Sequence, residues 1–238
     1  MLLAVGVAGC QNDNKEEPTP APTTSAAAPV SGTTAPDGGS VRVAEQGLSQ
    51  ITDGTGRPQV SFGIVLESSS KAWIATGTSV TIALTDASGK TIDDQIEHGK
   101  YQAHATQPQA RTGLGGQIYV SAAGATKLRV NVGASTWYPK GYPDFAAITA
   151  SKVRTERKGD SATYTFDLTS AYDRPVDGKY IDIIFRDEAG KLVGGAGVAL
   201  TATCSSVPPG ASSCTTGTKY PLPAGAADAR TEVYVDGE

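Results

Sequence analysis

The stretch Ser79–Lys90, which reads SVTIALTDASGK, decides the fold class of this chain. Its apolar residues Val80, Ile82 and Leu84 recur at every second position, so a β-strand would place all three on one face. The Asp-x-x-Gly-Lys that ends the stretch predicts a tight hairpin turn, because Asp can bond the backbone two residues on and Gly can adopt a positive φ. The same pattern, YIDIIFRDEAGK, returns at Tyr180–Lys191.

The sequence before each hairpin is repeated as well. Ser61–Ser68 (SFGIVLES) resembles Thr163–Ser170 (TYTFDLTS), and period-2 alternation continues at 128–132 and 233–235. We find no segment of a dozen residues with an apolar stripe at helical spacing. Short alternating strands separated by turn signals predict an all-β chain with two tandem immunoglobulin-like β-sandwich domains after a disordered N-terminal stalk.

The boundaries of these units follow from the repeat. We predict a first β-sandwich domain at residues 57–139, a linker at 140–157 and a second domain at 158–238. Residues 11–56 are predicted to form a disordered tether, with the strongest Pro, Thr, Ser and Ala bias up to about residue 40. Such a composition buries too little apolar surface to offset the entropy lost on ordering.

A strand, a polar loop and an alternating strand that ends in Asp-x-x-Gly-Lys resemble the small immunoglobulin-like domains of bacterial surface lipoproteins, including the FxLYD type. The second half is the better match, since Val207–Gly210 (VPPG) supplies the Pro-Gly that this family often has before a later strand. The first half lacks Pro-Gly, and Gly113–Gly116 occupies similar ground. The resemblance implies a sandwich with a binding or structural role, and it carries over no functional residues.

The first ten residues, MLLAVGVAGC, are apolar, and the chain becomes polar from Gln11 onward. Val7–Cys10 resembles the lipobox of bacterial lipoproteins, in which a diacylglycerol is attached to the cysteine and a peptidase cuts before it. The resemblance implies lipid attachment at Cys10 and a location on the extracellular face of the cell membrane. No Lys or Arg precedes the apolar stretch, so we expect residues 1–10 to be part of a longer signal peptide.

The cysteine count supports the same interpretation. Cys10, Cys204 and Cys214 are the only cysteines, and an odd number in an exported protein leaves one thiol over. Lipidation of Cys10 accounts for that thiol. Cys204 and Cys214 are then predicted to form a disulfide, which we favour over a metal site because no His lies near them.

We interpret one basic segment and one glycine-rich segment as structural rather than functional. Lys152–Lys158 (KVRTERK) is interrupted by Glu156, and the chain carries a formal net charge of −4, which argues against a nucleic-acid partner. We predict a solvated linker or turn there. Gly113–Gly116 (GLGG) is not followed by the Lys-Ser/Thr of a phosphate-binding loop, so a turn or bulge between strands is predicted.

We predict no catalytic residue, bound metal or cofactor. The only candidate cluster surrounds His98 and His104, with Asp93, Asp94 and Glu97 close by in sequence. Their spacing does not match a calcium-binding loop. A solvated loop is the favoured interpretation.

Exposed aromatic residues give the only positive indication of binding. Trp137, Tyr138, Tyr142 and Phe145 fall within nine residues between the predicted domains. We interpret them as a plug that fills the crevice between two sandwiches. The alternative is a platform that contacts a carbohydrate or peptide.

Together these observations favour a non-catalytic cell-surface lipoprotein. Its expected partners are the membrane, through the lipid anchor, and an envelope protein or cell-wall glycan. A glycan or small-ligand receptor that uses residues 137–145 is the first alternative, and a hydrolytic enzyme of unrecognised type near His98 is the second.

Overall fold

The structure is a computed structural model and describes residues 28–92, 100–103, 105–120, 124–199, 204–218 and 221–237. Over these residues the chain is built from antiparallel β-strands, and its described helices are 3-10 turns of three residues. The predicted all-β fold class is confirmed. None of the described helices has the length and apolar character needed to cross a membrane.

The first half contains nine described strands. They are β1 (Val30–Gly32), β2 (Val41–Thr52), β3 (Pro58–Ser68), β4 (Trp73–Thr76), β5 (Thr78–Thr85), β6 (Lys100–Ala103), β7 (Arg111–Tyr119), β8 (Lys127–Val132) and β9 (Ser135–Pro139). They form sheets in the orders β2-β3-β7, β6-β5-β8 and β1-β9-β4. One apolar core, which includes Phe62, Leu66 and Ile82, is shared by these sheets.

The second half repeats two of these three sheets. Its strands are β10 (Ile148–Lys158), β11 (Ser161–Ser170), β12 (Val176–Arg186), β13 (Leu192–Ala199), β14 (Ser206–Val207), β15 (Gly210–Thr218) and β16 (Glu232–Gly237). The order β10-β11-β15 corresponds to β2-β3-β7, and β13-β12-β16 corresponds to β6-β5-β8, while β12 pairs with β14 as well. The sequence repeat is therefore a repeat of topology, which is compatible with the predicted tandem immunoglobulin-like domains.

Both repeated hairpin turns form as predicted. The backbone N–H of Asp86 donates to the carbonyl of Lys90 at 3.0 Å, and Gly89 has a φ of 88°. Gly190 occupies the same place in the second turn with a φ of 85°. The Asp86 carboxylate accepts from the backbone N–H of Ser88 and Lys90, so its role is to hold the turn closed.

The predicted disulfide is also present. Cys204 and Cys214 are bonded, with their Cα atoms 5.4 Å apart, and both side chains lie in the core of the second half. In the chain-entropy model a loop of this length contributes roughly 3 kcal/mol to stability.

Two predicted boundaries are wrong. The tether was expected to reach residue 56, but β1 and β2 both lie within it, and β2 pairs with β3 along its length. The linker was expected to reach residue 157, but β10 begins at Ile148, so Lys152–Lys158 is part of a strand. Neither strand shows a clear alternation of apolar and polar residues in its sequence. In β10 most side chains are solvated, and a bulge at Lys152, where φ is 51°, interrupts the pattern. In β2 the position that faces the second half is a glycine, Gly47.

Gly113–Gly116 is not a turn but the middle of β7. Glycine is required there because the sheet β2-β3-β7 packs against the sheet β13-β12-β16 of the second half. A Cβ atom added to Gly115 would lie 2.6 Å from the carbonyl oxygen of Ile183, and one added to Gly63 would lie 2.5 Å from that of Gly194. The two sheets thus approach to backbone contact, which no larger residue allows.

Apolar and polar contacts complete this interface. Val65, Ile184 and Leu192 form a small core of their own between the sheets. The hydroxyl of Ser61 donates to the carbonyl of Gly195 at 2.8 Å and accepts from its N–H at 3.0 Å. Because the buried hydroxyl has both a donor and an acceptor partner, it fixes the two sheets in one register.

Candidate functional site

Trp137, the first residue of the predicted aromatic site, is not available to a ligand. Its side chain is fully buried in the core of the first half, and its indole N–H donates to the carbonyl of Gly32 at 3.0 Å. Trp137 therefore joins β9 to β1, and neither the platform nor the plug interpretation applies to it. The sequence did not reveal this, because its neighbours in the chain are half-buried.

The remaining three rings form one group, which we call the aromatic cluster: Tyr138, Tyr142 and Phe145. The centroid of the Tyr138 ring lies 4.7 Å from that of Tyr142 and 4.6 Å from that of Phe145. Tyr142 and Phe145 are stacked at 6.0 Å. All three side chains are half-buried, so each ring packs on the others and keeps part of its surface in solvent.

Hydrogen bonds attach the aromatic cluster to both halves. The side-chain amide of Gln107, from the first half, donates to the carbonyl of Phe145 at 2.7 Å. From the second half, the hydroxyl of Tyr172 donates to the carbonyl of Asp144 at 3.0 Å, and Arg174 bonds the Asp144 carboxylate at 2.9 Å. The cluster thus lies at the junction of the two halves, where both could contribute to a contact.

A crevice lies beside the aromatic cluster, with a volume of about 210 Å³. Its lining is mostly small and apolar, and it comes from both halves: Ala105, Gln107, Ala110, Arg111, Thr112, 146–150 and 233–235. Pockets for drug-sized ligands usually occupy about 300–1,000 Å³. The crevice is therefore large enough for a small chemical group or a few water molecules, but not for a whole ligand of that size.

An ion-pair network reaches the crevice, because two of its members, Arg111 and Tyr234, are among the lining residues. Arg186 is only 12% exposed, and its Nε lies 2.7 Å from Oε1 of Glu232, while its Nη1 bonds Glu45. Glu45 also pairs with Arg111 at 2.9 Å, and the hydroxyl of Tyr234 donates to Glu232 at 3.0 Å. The members of the network come from four strands, β2, β7, β12 and β16, in both halves, so no local sequence pattern could have predicted it.

The network shifts the ionisation of its members. The hydrogen bond from Arg186, followed by the charges of Arg186 and Arg111, lowers the pKa of Glu45 against the opposing effect of desolvation. The hydrogen bond to Glu45 raises the pKa of Arg186. Burial, together with the charge of Glu232, raises the pKa of the Tyr234 phenol. The arrangement holds fixed charges across the interface between the two halves.

The histidine cluster of the second alternative lies outside the described residues. This applies to His98 and His104 and to the acidic residues at 93–97. Within the ranges that the structure describes, no group of three His, Cys, Asp or Glu side chains is placed to hold a metal ion.

Comparison with protein-family models, curated proteins and solved structures finds no match. The resemblances to a lipobox and to FxLYD-type domains therefore stay predictions.

We predict that Glu45 stabilises the fold in a pH-dependent manner. Glu45→Gln should lower the free energy of unfolding at pH 7 by about 1 kcal/mol, since the pair is partly exposed. Because folding lowers the pKa of Glu45, its contribution is complete above the unfolded pKa of about 4.3 and is lost as the pH falls through the folded pKa. The difference between the two proteins in urea unfolding should therefore shrink below about pH 4.

The matched control is Glu188→Gln, which removes an exposed carboxylate from the second hairpin turn. It should leave the free energy of unfolding unchanged at neutral pH. A Glu45→Gln difference that stays constant from neutral to acid pH would show that the charge of Glu45 does not hold the halves together.

Proposed function

We propose that this chain is a non-catalytic lipoprotein of the cell surface, which presents its two packed β-sandwiches on a tether to a protein or cell-wall partner. The observation that carries the proposal is the pairing of Cys204 with Cys214 in the second core. Since the sequence has three cysteines, this pairing leaves no other cysteine of the chain to pair with Cys10. Cys10 follows the small residues Ala8 and Gly9 and precedes the polar tether, as lipid attachment requires.

The disulfide also supports export. Structural disulfides persist in oxidising compartments and are rare in the cytosol of most organisms. A chain with such a bond and an apolar start that ends in cysteine fits a protein held at the outer face of a membrane. We therefore place the chain there, attached through a diacylglycerol on Cys10.

The size of the crevice bears on the kind of partner. Because 210 Å³ falls short of a typical small-molecule pocket, a macromolecule that contacts the outer surface is favoured over a whole small ligand at the crevice beside the aromatic cluster. The close packing of the two halves favours a rigid body that does not reshape on contact. Both properties suit a binding or structural module.

The anchor is tested with Cys10→Ser in the full-length gene. The variant should move from the membrane fraction to the soluble fraction, and mass spectrometry should find no acyl groups on it, because the thiol that accepts the lipid is gone. Thr24→Ser, a conservative change in the predicted tether, should keep the wild-type location and the same added acyl mass, its own mass changing only by the CH2 group that the substitution removes. A Cys10→Ser protein that stays in the membrane fraction would refute the anchor.

A glycan receptor is the second candidate, and the half-exposed aromatic cluster favours it. The faces of aromatic rings stack on the apolar faces of sugars, and the three rings lie beside the crevice. In this second candidate function, the aromatic cluster forms the surface that contacts the sugar rings, and the crevice receives a substituent that projects from the glycan.

Tyr142→Ala tests the second candidate, since it removes one ring and leaves the fully buried core residues in place. If glycans bind here, retention on purified cell-wall glycan should fall at least about tenfold, as for a hot-spot aromatic. The control is Tyr180→Ala, on β12, where the residue is 52% exposed. Equal retention of both variants, at unchanged thermal stability, would count against the glycan candidate.

A further inference from the structure

A second depression runs along the interface between the halves, distinct from the crevice. Residues 46–49 of β2 form its floor, β8 forms one wall, and β13 with the second hairpin turn forms the other. Two contiguous hollows of about 480 and 450 Å³ share Gln46, Lys127 and Leu128, so they form one continuous trough. We call it the basic groove, after Lys127, Arg129 and Lys191 on its walls.

Several backbone carbonyl groups along the groove already accept hydrogen bonds from side chains of β2. The side-chain amide of Gln46 donates to the carbonyl of Leu128 at 2.9 Å, and that of Gln50 donates to the carbonyl of Ala125 at 3.0 Å. On the opposite wall, the hydroxyl of Ser49 donates to the carbonyl of Val193 at 2.6 Å. Side chains from β2 thus cap both strand edges, which disfavours the addition of a further strand. What the groove presents to a partner is its cationic side chains.

The three cations have no acidic partner in the described part of the chain. Lys127, Arg129 and Lys191 are exposed, and none of the ion pairs between described residues includes them. The carboxylate of Glu45, next to the floor, is engaged by Arg111 and Arg186.

Three further carboxylates lie in the hairpin turns that border the groove: Asp86 and Asp187 have partners, and Glu188 is exposed but does not line the groove. Asp86 is bonded to the backbone N–H of Ser88 and Lys90, and Asp187 is bonded to that of Lys191. Because Asp86 and Asp187 hold their own turns, an anion in the groove would meet cations that have no counter-charge among the described residues lining it.

We propose that the basic groove binds a linear polyanion, a polymer with phosphate or carboxylate groups on successive units. Lys127 and Arg129 stand two residues apart on one strand, hence about 7 Å apart along it, so they can meet charges that repeat along a chain. Lys191 meets the same chain from the other half. A trough with walls can enclose a polymer chain, whereas it cannot lie flush against the flat surface of a bilayer.

The negative net charge of the chain confines the binding of polyanions to the groove, rather than allowing it over the whole surface. The chain has a formal net charge of −4, so it should repel polyanions except where cations are concentrated. The site also depends on the packing of the two halves, because β8 and β13 belong to different halves. It does not depend on the lipid at Cys10, so failure of the anchor would leave it standing.

The test uses the full chain with Cys10→Ser and a fluorescent inorganic polyphosphate, with binding followed by anisotropy. Lys127→Ala, Arg129→Ala and Lys191→Ala together should weaken binding at least about tenfold at low salt, and wild-type affinity should fall as salt rises. The control variant carries Lys152→Ala, Arg154→Ala and Lys158→Ala on β10. It removes the same charge and should change affinity less than about twofold.

Three results would overturn the proposal. The first is the absence of polyphosphate binding by the wild-type groove. The second is equal weakening by the two triple variants, which would indicate general attraction. The third is binding to phosphatidylglycerol vesicles without binding to polyphosphate, which would indicate a lipid surface as the partner.

Discussion

The contact between the sheets β2-β3-β7 and β13-β12-β16 is the constraint on which the rest of the structure depends. Gly47, Gly63 and Gly115 on one side meet the backbone of β12 and β13 on the other, at distances that leave no room for a Cβ atom. Close contact of this kind fixes the position of one half relative to the other. The crevice, the ion-pair network and the basic groove exist because that position is fixed, since each is lined by residues of both halves.

The strands and turns that face a single core could be predicted from the sequence, whereas the interface could not. Val80, Ile82 and Leu84 alternate because one face meets the core and the other meets solvent. β2 faces a core on one side and the second half on the other. Its polar and glycine residues therefore do not indicate which of its positions are exposed to solvent. Glycines in β7 suggested a turn, because glycine usually weakens strands, and only the opposing sheet explains them.

The candidate site divides in the same way. The aromatic segment could be recognised in the sequence, but the burial of its members could not. Trp137 is a core residue of β9, whereas Tyr138, Tyr142 and Phe145 are partly exposed. The partners of Arg186 could not be predicted, because Glu45 lies 141 residues away in sequence. The proposed surface role thus rests on long-range packing that brings distant polar groups together, and the predicted tether would present that packed body.

Scanning calorimetry of the folded chain tests the packing of the two halves most directly. We expect a single transition with a calorimetric enthalpy close to the van't Hoff enthalpy, because the halves should unfold together. Gly115→Val should lower its midpoint by several °C or split it in two, while Gly32→Ala, whose added Cβ would meet only ordinary contacts at 3.7 Å, should not. Two independent transitions in the wild-type protein, unchanged by Gly115→Val, would contradict the account.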